Sequence, residues 1–144
     1  MMGYLLDINT LLALAWPNHV QHRVAHEWFD LESKQGWGIC SVTQLGFVRI
    51  SSHPAFEHHV TTQEAFQKLT EIAAVPGYSF WPEPTVGFAS DSFSDAVARI
   101  LTHGMVTGGF LAGVAKFNGG KLATFDKALA RAFPDCCTLV GSGR

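Results

Sequence analysis

The stretch Leu122-Ala123-Thr124-Phe125-Asp126 joins a short apolar run to a carboxylate. The N-terminal stretch Tyr4-Leu5-Leu6-Asp7 has the same form. Apolar runs of this length predict buried strands, and Asp is a preferred first residue, or N-cap, for a helix. Both stretches therefore predict a strand that ends at an acid, where a helix begins.

Strands and helices alternate along the rest of the chain, with Gly and Pro at many of the boundaries. Short strands that alternate with helices are typical of a parallel sheet covered on both faces. We therefore predict an α/β fold, an α/β/α sandwich around a central, mainly parallel sheet. The predicted strands are 1–6, 37–40, 78–81, 122–125 and 138–140, and the predicted helices are 9–15, 19–33, 44–50, 62–73, 92–101, 110–117 and 127–133.

Length and composition predict one domain. The chain has 144 residues, of which 47% are hydrophobic and 15% charged, enough to fill a core. We place this domain at residues 1–140 and expect the short tail 141–144 to be disordered. No apolar run approaches the ~18 residues of a membrane span, and the N-terminal run is too short for a signal peptide.

The net charge limits the classes of function that fit the chain, and the cysteines limit its expected location. The formal net charge is -2, so the chain lacks the broad basic surface of a protein that coats nucleic acid. The three cysteines are an odd number, and the adjacent Cys136 and Cys137 would point to opposite faces of a strand. A reducing, cytoplasmic location without disulfides or a membrane fits this pattern.

Asp7 and Asp126 each follow a predicted strand. In an open parallel sheet, ligands bind at the carboxyl ends of the strands. Two carboxylates at that edge suit Mg²⁺ or Mn²⁺, which can activate water and neutralise a phosphodiester. Each acid taken alone is explained by helix capping. Their matching positions favour a shared metal site.

Three motifs resemble those of PIN-domain nucleases and VapC-like toxins. Leu5-Leu6-Asp7-Ile8-Asn9 is similar to the opening strand of PIN domains, and Thr43-Gln44-Leu45-Gly46-Phe47-Val48-Arg49 is similar to the second motif of VapC-type toxins. Leu122-Ala123-Thr124-Phe125-Asp126 is similar to the closing acidic motif. The three stretches occur in the family's order, and the resemblance runs from about residue 5 to residue 129.

The resemblance implies the toxin of a type II toxin-antitoxin system, an endoribonuclease that cleaves RNA with Mg²⁺ or Mn²⁺. A cognate antitoxin would inhibit it, and the toxin would be a homodimer. Residues that match the motifs are thereby assigned roles: Asp7, Gln44 and Asp126 as catalytic residues, Asp7 and Asp126 as metal ligands, and Asn9, Arg49 and Thr124 as substrate-binding residues, with Asn9 also orienting Asp7.

Two positions depart from the family pattern. Gln44 replaces a common Glu, and its amide oxygen can hold water or a cation without adding charge. Gly108 stands where the family's Val-Thr-Asp-Ala-x-Leu helix start has its acid, so metal affinity should fall. The alternative function is therefore a catalytically impaired PIN scaffold that still dimerises and binds antitoxin or RNA. An unrelated phosphohydrolase is disfavoured because no nucleophile motif accompanies the acids.

Other polar groups leave alternatives open. His22 and His26 lie four residues apart, but no four-ligand zinc set accompanies them, so partly buried histidines are favoured. Asp91 and Asp95 are typical of first-turn helix acids. Arg49 suits either a phosphate contact or an ion pair. A cluster of cations near the end of the chain, either a local basic patch or a solvated face, comprises Lys116, Lys121, Lys127 and Arg131.

Overall fold

The computed structural model describes residues 3–141, which contain a five-stranded sheet in the order β3-β2-β1-β4-β5. All four strand pairs are parallel, so the predicted α/β class is confirmed and the sheet is parallel throughout. The first strand is central and the fourth lies beside it. The strands are β1 (Tyr4–Leu6), β2 (Trp37–Ile39), β3 (Tyr78–Phe80), β4 (Lys121–Thr124) and β5 (Cys137–Leu139).

Helices cover both faces of the sheet because its strands are apolar on both sides. Leu5 and Leu122 belong to one hydrophobic cluster, whereas Leu6 and Ala123 belong to another, as expected for side chains that alternate across a strand. The helices are α1 (Ile8–Ala15), α2 (His22–Glu32), α3 (Ser41–Ser51), α4 (Thr62–Ala73), α5 (Ser94–Arg99), α6 (Val106–Phe117) and α7 (Lys127–Ala132). Helices α1 to α4 pack on one face and α5 to α7 on the other.

The start of α4 is the best predicted boundary. Thr61 Oγ1 accepts a hydrogen bond from the Glu64 backbone N–H at 3.0 Å, and Glu64 Oε1 accepts one from the Thr61 N–H at 3.1 Å. Each side chain thus satisfies a donor that the helix leaves unpaired. The Thr-x-x-Glu pattern of residues 61–64 predicts a capping box, and the structure confirms it.

The start of α6 corrects the sequence prediction. The glycines at 104, 108 and 109 are typical of a turn before the predicted helix 110–117, but α6 already begins at Val106. Gly108 and Gly109 therefore lie in its first turn. A Cβ at Gly109 would lie 2.4 Å from Ile100 Cγ1. Glycine is needed there for a close approach to the neighbouring segment, which a turn-based interpretation misses.

The predicted burial of several apolar side chains is also wrong. The spacing of apolar residues in the predicted helix 92–101 predicts Val97 and Leu101 on its inward face, but Leu101 is 82% exposed and Val97 46% exposed. A 3₁₀ turn occupies Asp91–Phe93 and α5 ends at Arg99, so Leu101 lies beyond the end of the helix. Val20 precedes α2 and is likewise exposed, as is Leu31 within that helix.

Of the predicted tail 141–144, only Gly141 is described; it adopts a left-handed φ of 81° in a turn after β5. Residues 142–144 lie outside the described residues. Between residues 3 and 141, each helix is too short or too polar to cross a bilayer. Cys40, Cys136 and Cys137 are buried free thiols.

Candidate active site

Asp7 lies at the carboxyl end of the central strand and begins α1. Its backbone N–H donates to the Ala123 carbonyl at 3.0 Å, which continues the pairing of β1 with β4. Its Oδ1 accepts from the Ile8 N–H at 2.8 Å and so caps the helix. Sheet register and helix cap together fix this carboxylate at the middle of the sheet edge.

Thr124, the last residue of β4, connects the two predicted acids. Its Oγ1 donates to Asp7 Oδ2 at 2.6 Å and accepts from the Asp126 backbone N–H at 3.0 Å. Sequence analysis assigned this residue to substrate binding, but its side chain is fully buried. In this structure Thr124 contacts the two acids rather than the surface.

Asp126 is an exposed residue that begins α7. Its Oδ1 accepts from the Leu129 N–H at 3.0 Å, the bond of a helix N-cap. Among the described residues, no hydrogen bond or ion pair engages its Oδ2. Capping and ligand binding are therefore compatible, because one oxygen caps the helix while the other faces no protein donor.

Burial raises the pKa of the Asp7 carboxyl above its usual value. The hydrogen bonds from Thr124 and Ile8 oppose this rise, and the charge of Asp126 adds to it. The ionised carboxylate is thus partly desolvated beside a second negative charge. A cation bound between the acids would relieve both costs.

The donors present fit a hydrated Mg²⁺ or Mn²⁺ ion. Each Asp7 oxygen accepts one hydrogen bond and retains a second lone pair, and Asp126 retains a whole oxygen. Mg²⁺ commonly binds one or two carboxylates and keeps several waters. Within residues 3–141, no three His, Cys, Asp or Glu side chains gather to hold a metal. The site is therefore a two-carboxylate arrangement.

Gln44 and Arg49 lie on α3, which follows β2. The helix start is held against the end of β1 by the Thr43 hydroxyl, which donates to the Leu6 carbonyl at 3.3 Å. Gln44 is partly buried and Arg49 exposed, and both line a groove of about 720 Å³ between α3 and α4. Arg49 forms no ion pair with any described residue. The ion pair, one of the two roles that the sequence left open for Arg49, is therefore absent among the described residues.

Asn9 is exposed in the first turn of α1. Its side chain makes no hydrogen bond to Asp7 or to any other described residue. The bonds that orient Asp7 come from Thr124 and the Ile8 N–H. Asn9 therefore remains available to a substrate but does not orient Asp7 in this structure.

Gly108, at the position where the family-like motif has an acid, lies against α7, the helix that begins at Asp126. A Cβ at this glycine would lie 2.8 Å from Leu129 Cδ2, and Leu129 is the residue whose N–H binds Asp126. Position 108 therefore faces α7 at the edge that carries Asp126. Sequence analysis did not identify Leu129, because contact between two helices leaves no local pattern.

Lys116 does not belong to the basic patch that the sequence offered as one alternative. This residue lies near the end of α6, at the amino edge of the sheet, where its Nζ pairs with Asp95 at 3.4 Å and Asp135 at 3.3 Å. Arg99 joins the same two acids at 2.6 Å each. Lys116 is thus neutralised locally and lies opposite the active-site edge. Asp95, predicted as a first-turn acid, belongs to this network.

Two histidines have a structural role that the sequence left open. His22 Nδ1 lies 2.8 Å from the Ala13 carbonyl, and His26 Nε2 lies 3.0 Å from the Leu14 carbonyl. These carbonyls belong to the last turn of α1, which leaves acceptors unpaired. The imidazoles therefore cap α1, in agreement with the interpretation favoured over zinc.

One acid at the carboxyl edge escaped the sequence analysis. Glu83 follows β3 and accepts a hydrogen bond from the Ser41 hydroxyl at the start of α3. β2 separates β3 from the central strand. Glu83 does not join Asp7 and Asp126 in a metal-binding group within the described chain.

Relatives of the chain are named ribonucleases. No family model matches. The chain is 42% identical over 133 residues to Ribonuclease VapC39 of Mycobacterium tuberculosis, an alignment that covers 90% of this chain and 92% of the relative. It is 34% identical over 123 residues to Ribonuclease VapC38 of the same species, covering 85% of this chain and 84% of the relative.

Solved structures share the fold at low sequence identity. A structure of FitAB bound to an IR36 DNA fragment matches with a TM-score of 0.66 and 16% identity, covering 98% of this chain and 97% of the other. VapBC2 from Rickettsia felis, bound to a DNA fragment from its promoter, matches with a TM-score of 0.59 and 12% identity, covering 96% and 98%. These matches support the α/β architecture on which the two acids are placed.

Proposed function

The chain belongs to the VapC family of PIN-domain ribonucleases, and on this premise we propose that it is a toxin endoribonuclease inhibited by a cognate antitoxin. The observation that carries the proposal is the joining of Asp7 and Asp126 through one buried hydroxyl at the carboxyl edge. Family membership supports an RNA substrate, and the paired acids support phosphodiester hydrolysis at this edge.

Asp7 and Asp126 are the proposed ligands of Mg²⁺ or Mn²⁺. When bound, the cation supplies activation of water and neutralisation of charge on the phosphodiester. The protein contributes preorganisation, because Thr124 and the Ile8 N–H hold Asp7 before any ligand arrives.

Gln44, Asn9 and Arg49 are the proposed substrate contacts. Gln44 offers an amide that can hold water or an RNA hydroxyl. Arg49 offers a guanidinium without a partner acid among residues 3–141, which suits bidentate binding of a phosphate. With a net charge of -2, such local contacts are needed to attract RNA.

The experiment is RNA cleavage with Mn²⁺ by the wild type and by Asp7→Ala. We expect the cleavage rate of the variant to fall by more than about 10-fold. Loss of a residue that only supports a metal ligand already lowers activity by about that factor, and Asp7 is a proposed ligand itself. Asp30→Ala is the matched control, since Asp30 is an exposed acid of α2. Cleavage that needs Mn²⁺ yet is unchanged in Asp7→Ala would remove this site from the proposal.

A second candidate function is a PIN scaffold with impaired catalysis. It is favoured by the position of Leu129, whose Cδ2 would lie only 2.8 Å from a Cβ at position 108. Calorimetric titration of the wild type with Mn²⁺ separates the two. Absence of binding together with absence of cleavage would favour the scaffold, which would act through antitoxin or RNA binding.

We also propose a cytoplasmic homodimer. The proposed contact is an apolar surface, the α5–α6 face, made of Phe88, Val97, Ile100, Leu101 and Val106. Four of these residues line a shallow cavity of about 490 Å³ with Ala89, and within the described part of the chain its lining contains no charged residue. A twofold contact brings identical patches together, so an uncharged patch can pair with its own copy.

A further inference from the structure

We infer that Leu129 determines whether position 108 can carry a carboxylate, so that the pair Gly108 and Leu129 sets the number of acids in the site. The inference rests on the proposed metal site. It treats the glycine as one half of a packing arrangement and not as the simple loss of an acid. The consequence is that restoring the acid requires a change at both positions.

A side chain at position 108 would come too close to two methyl groups of Leu129. A Cβ at Gly108 would lie 2.8 Å from Leu129 Cδ2, 3.1 Å from Cδ1 and 3.5 Å from Cγ. The two methyl carbons are closer than an ordinary carbon contact, whereas the distance to Cγ is acceptable. Any residue larger than glycine must therefore displace the two Leu129 methyl groups.

Leu129 cannot move freely. Its side chain is 3% exposed and belongs to the cluster that contains Leu111 and Phe133. Its backbone N–H binds Asp126 Oδ1, so shifting α7 as a whole would also shift this acid. The buried neighbours and the cap both resist the displacement that a side chain at 108 demands.

A carboxylate at 108 meets a second obstacle. Its first carbon would lie against two methyl groups, and a charge beside apolar atoms loses hydration. One gain opposes this cost, because an acid in the first turn of α6 interacts favourably with the helix dipole. Removing the two methyl groups retains the gain and opens space beside Asp126.

Leu129→Val is the appropriate companion change. Valine ends about where the leucine Cγ branch begins, so the two closest carbons are removed while much of the buried volume remains. Leu129→Ala opens more space but leaves a larger cavity. It serves as the second variant if valine in α7 proves too unfavourable.

The experiment is a double-mutant cycle of Gly108→Asp and Leu129→Val, with Gly108→Asn in both backgrounds as the uncharged control. Thermal midpoints are measured in EDTA, and Mn²⁺ affinity by calorimetry. We expect Gly108→Asp alone to lower the midpoint by about 3–6 °C and Leu129→Val to recover part of that loss. The double variant should bind Mn²⁺ about tenfold or more tightly than Leu129→Val, and the Asn variant should not.

Additive midpoints in EDTA would overturn the inference, as would Mn²⁺ binding by Gly108→Asp alone that equals binding by the double variant. A folded double variant that binds Mn²⁺ no better than Leu129→Val would overturn it too. Failure of the proposed function has a different signature, namely wild-type RNA cleavage that is insensitive to Asp7→Ala. The metal-free cycle does not depend on that result.

Discussion

The Thr124 hydroxyl donates a 2.6 Å hydrogen bond to Asp7 Oδ2 and accepts a 3.0 Å bond from the Asp126 N–H. A hydroxyl has one proton and two acceptor lone pairs, so both bonds can form at once. A single buried side chain thus fixes the position of one acid and the backbone of the other. Three residues that lie up to 119 positions apart in the chain, from 7 to 126, thus act as one unit.

Thr124→Val removes this hydroxyl while keeping the shape of the side chain. Asp7 then loses a donor and the Asp126 N–H loses its acceptor, so we expect a loss of about 1–3 kcal/mol in the free energy of unfolding. RNA cleavage should fall as well, because both proposed ligands lose orientation. Urea denaturation and cleavage assays measure these effects.

Thr124→Ser is the matched control, since it keeps the hydroxyl and removes one buried methyl group. It should retain most of the cleavage activity and lose only about 1 kcal/mol of stability. Equal loss of activity in the serine and valine variants would show that packing at position 124 matters more than the hydroxyl.

Stability should depend on pH through Asp7. Its pKa in the folded protein lies above the unfolded value of 3.8, so the folded state holds the proton more tightly. Between these two values stability falls as pH rises, because ionisation is harder in the folded state than in the unfolded one. Wild type should therefore lose stability relative to Asp7→Ala from about pH 4 upward.

Mn²⁺ should oppose this loss, since it binds the ionised carboxylate and competes with protons. The measurement is urea denaturation of both proteins between pH 4 and 7, with Mn²⁺ or with EDTA. A difference between wild type and variant that does not change with pH in EDTA would contradict the raised pKa of Asp7.

Arg49→Ala tests the proposed phosphate contact. Because the side chain is exposed and lacks an ion pair in the described chain, its removal should change stability by less than about 0.5 kcal/mol. We expect KM for RNA to rise, with a smaller effect of Arg49→Lys. Arg23→Ala is the control, as Arg23 is exposed and pairs with Glu27 on α2. A loss of folding in Arg49→Ala would indicate a structural role instead.

The sequence was sufficient to locate the two acids, because strand ends in a parallel sheet share one edge. It was insufficient for the bond between Thr124 and Asp7, which depends on the pairing of β1 with β4. These strands lie more than a hundred residues apart in the chain, and no local pattern encodes their register. Motif resemblance identified Thr124 but assigned it to the substrate.

The contact between Gly108 and Leu129 also could not be predicted from the sequence. A glycine near a helix start is typical of a turn, and only the approach of α6 to α7 shows that the space is filled. In α5, hydrophobic periodicity failed for a different reason. The helix ends at Arg99, so Leu101, which a longer helix would turn inward, lies beyond it and is exposed.

That exposure leads to the prediction for Leu101→Glu. On the α5–α6 face, Leu101 is 82% exposed and can change to Glu without disturbing the core. If two copies meet through this face, the variant places like charges opposite each other in an apolar contact, which costs both desolvation and repulsion. We expect the wild type to sediment as a dimer and the variant as a monomer in analytical ultracentrifugation. Val20→Glu is the control because Val20 is 92% exposed outside this face, in the segment between α1 and α2. A wild type that remains monomeric would contradict the homodimer, and a dimeric Leu101→Glu would show that the copies meet elsewhere.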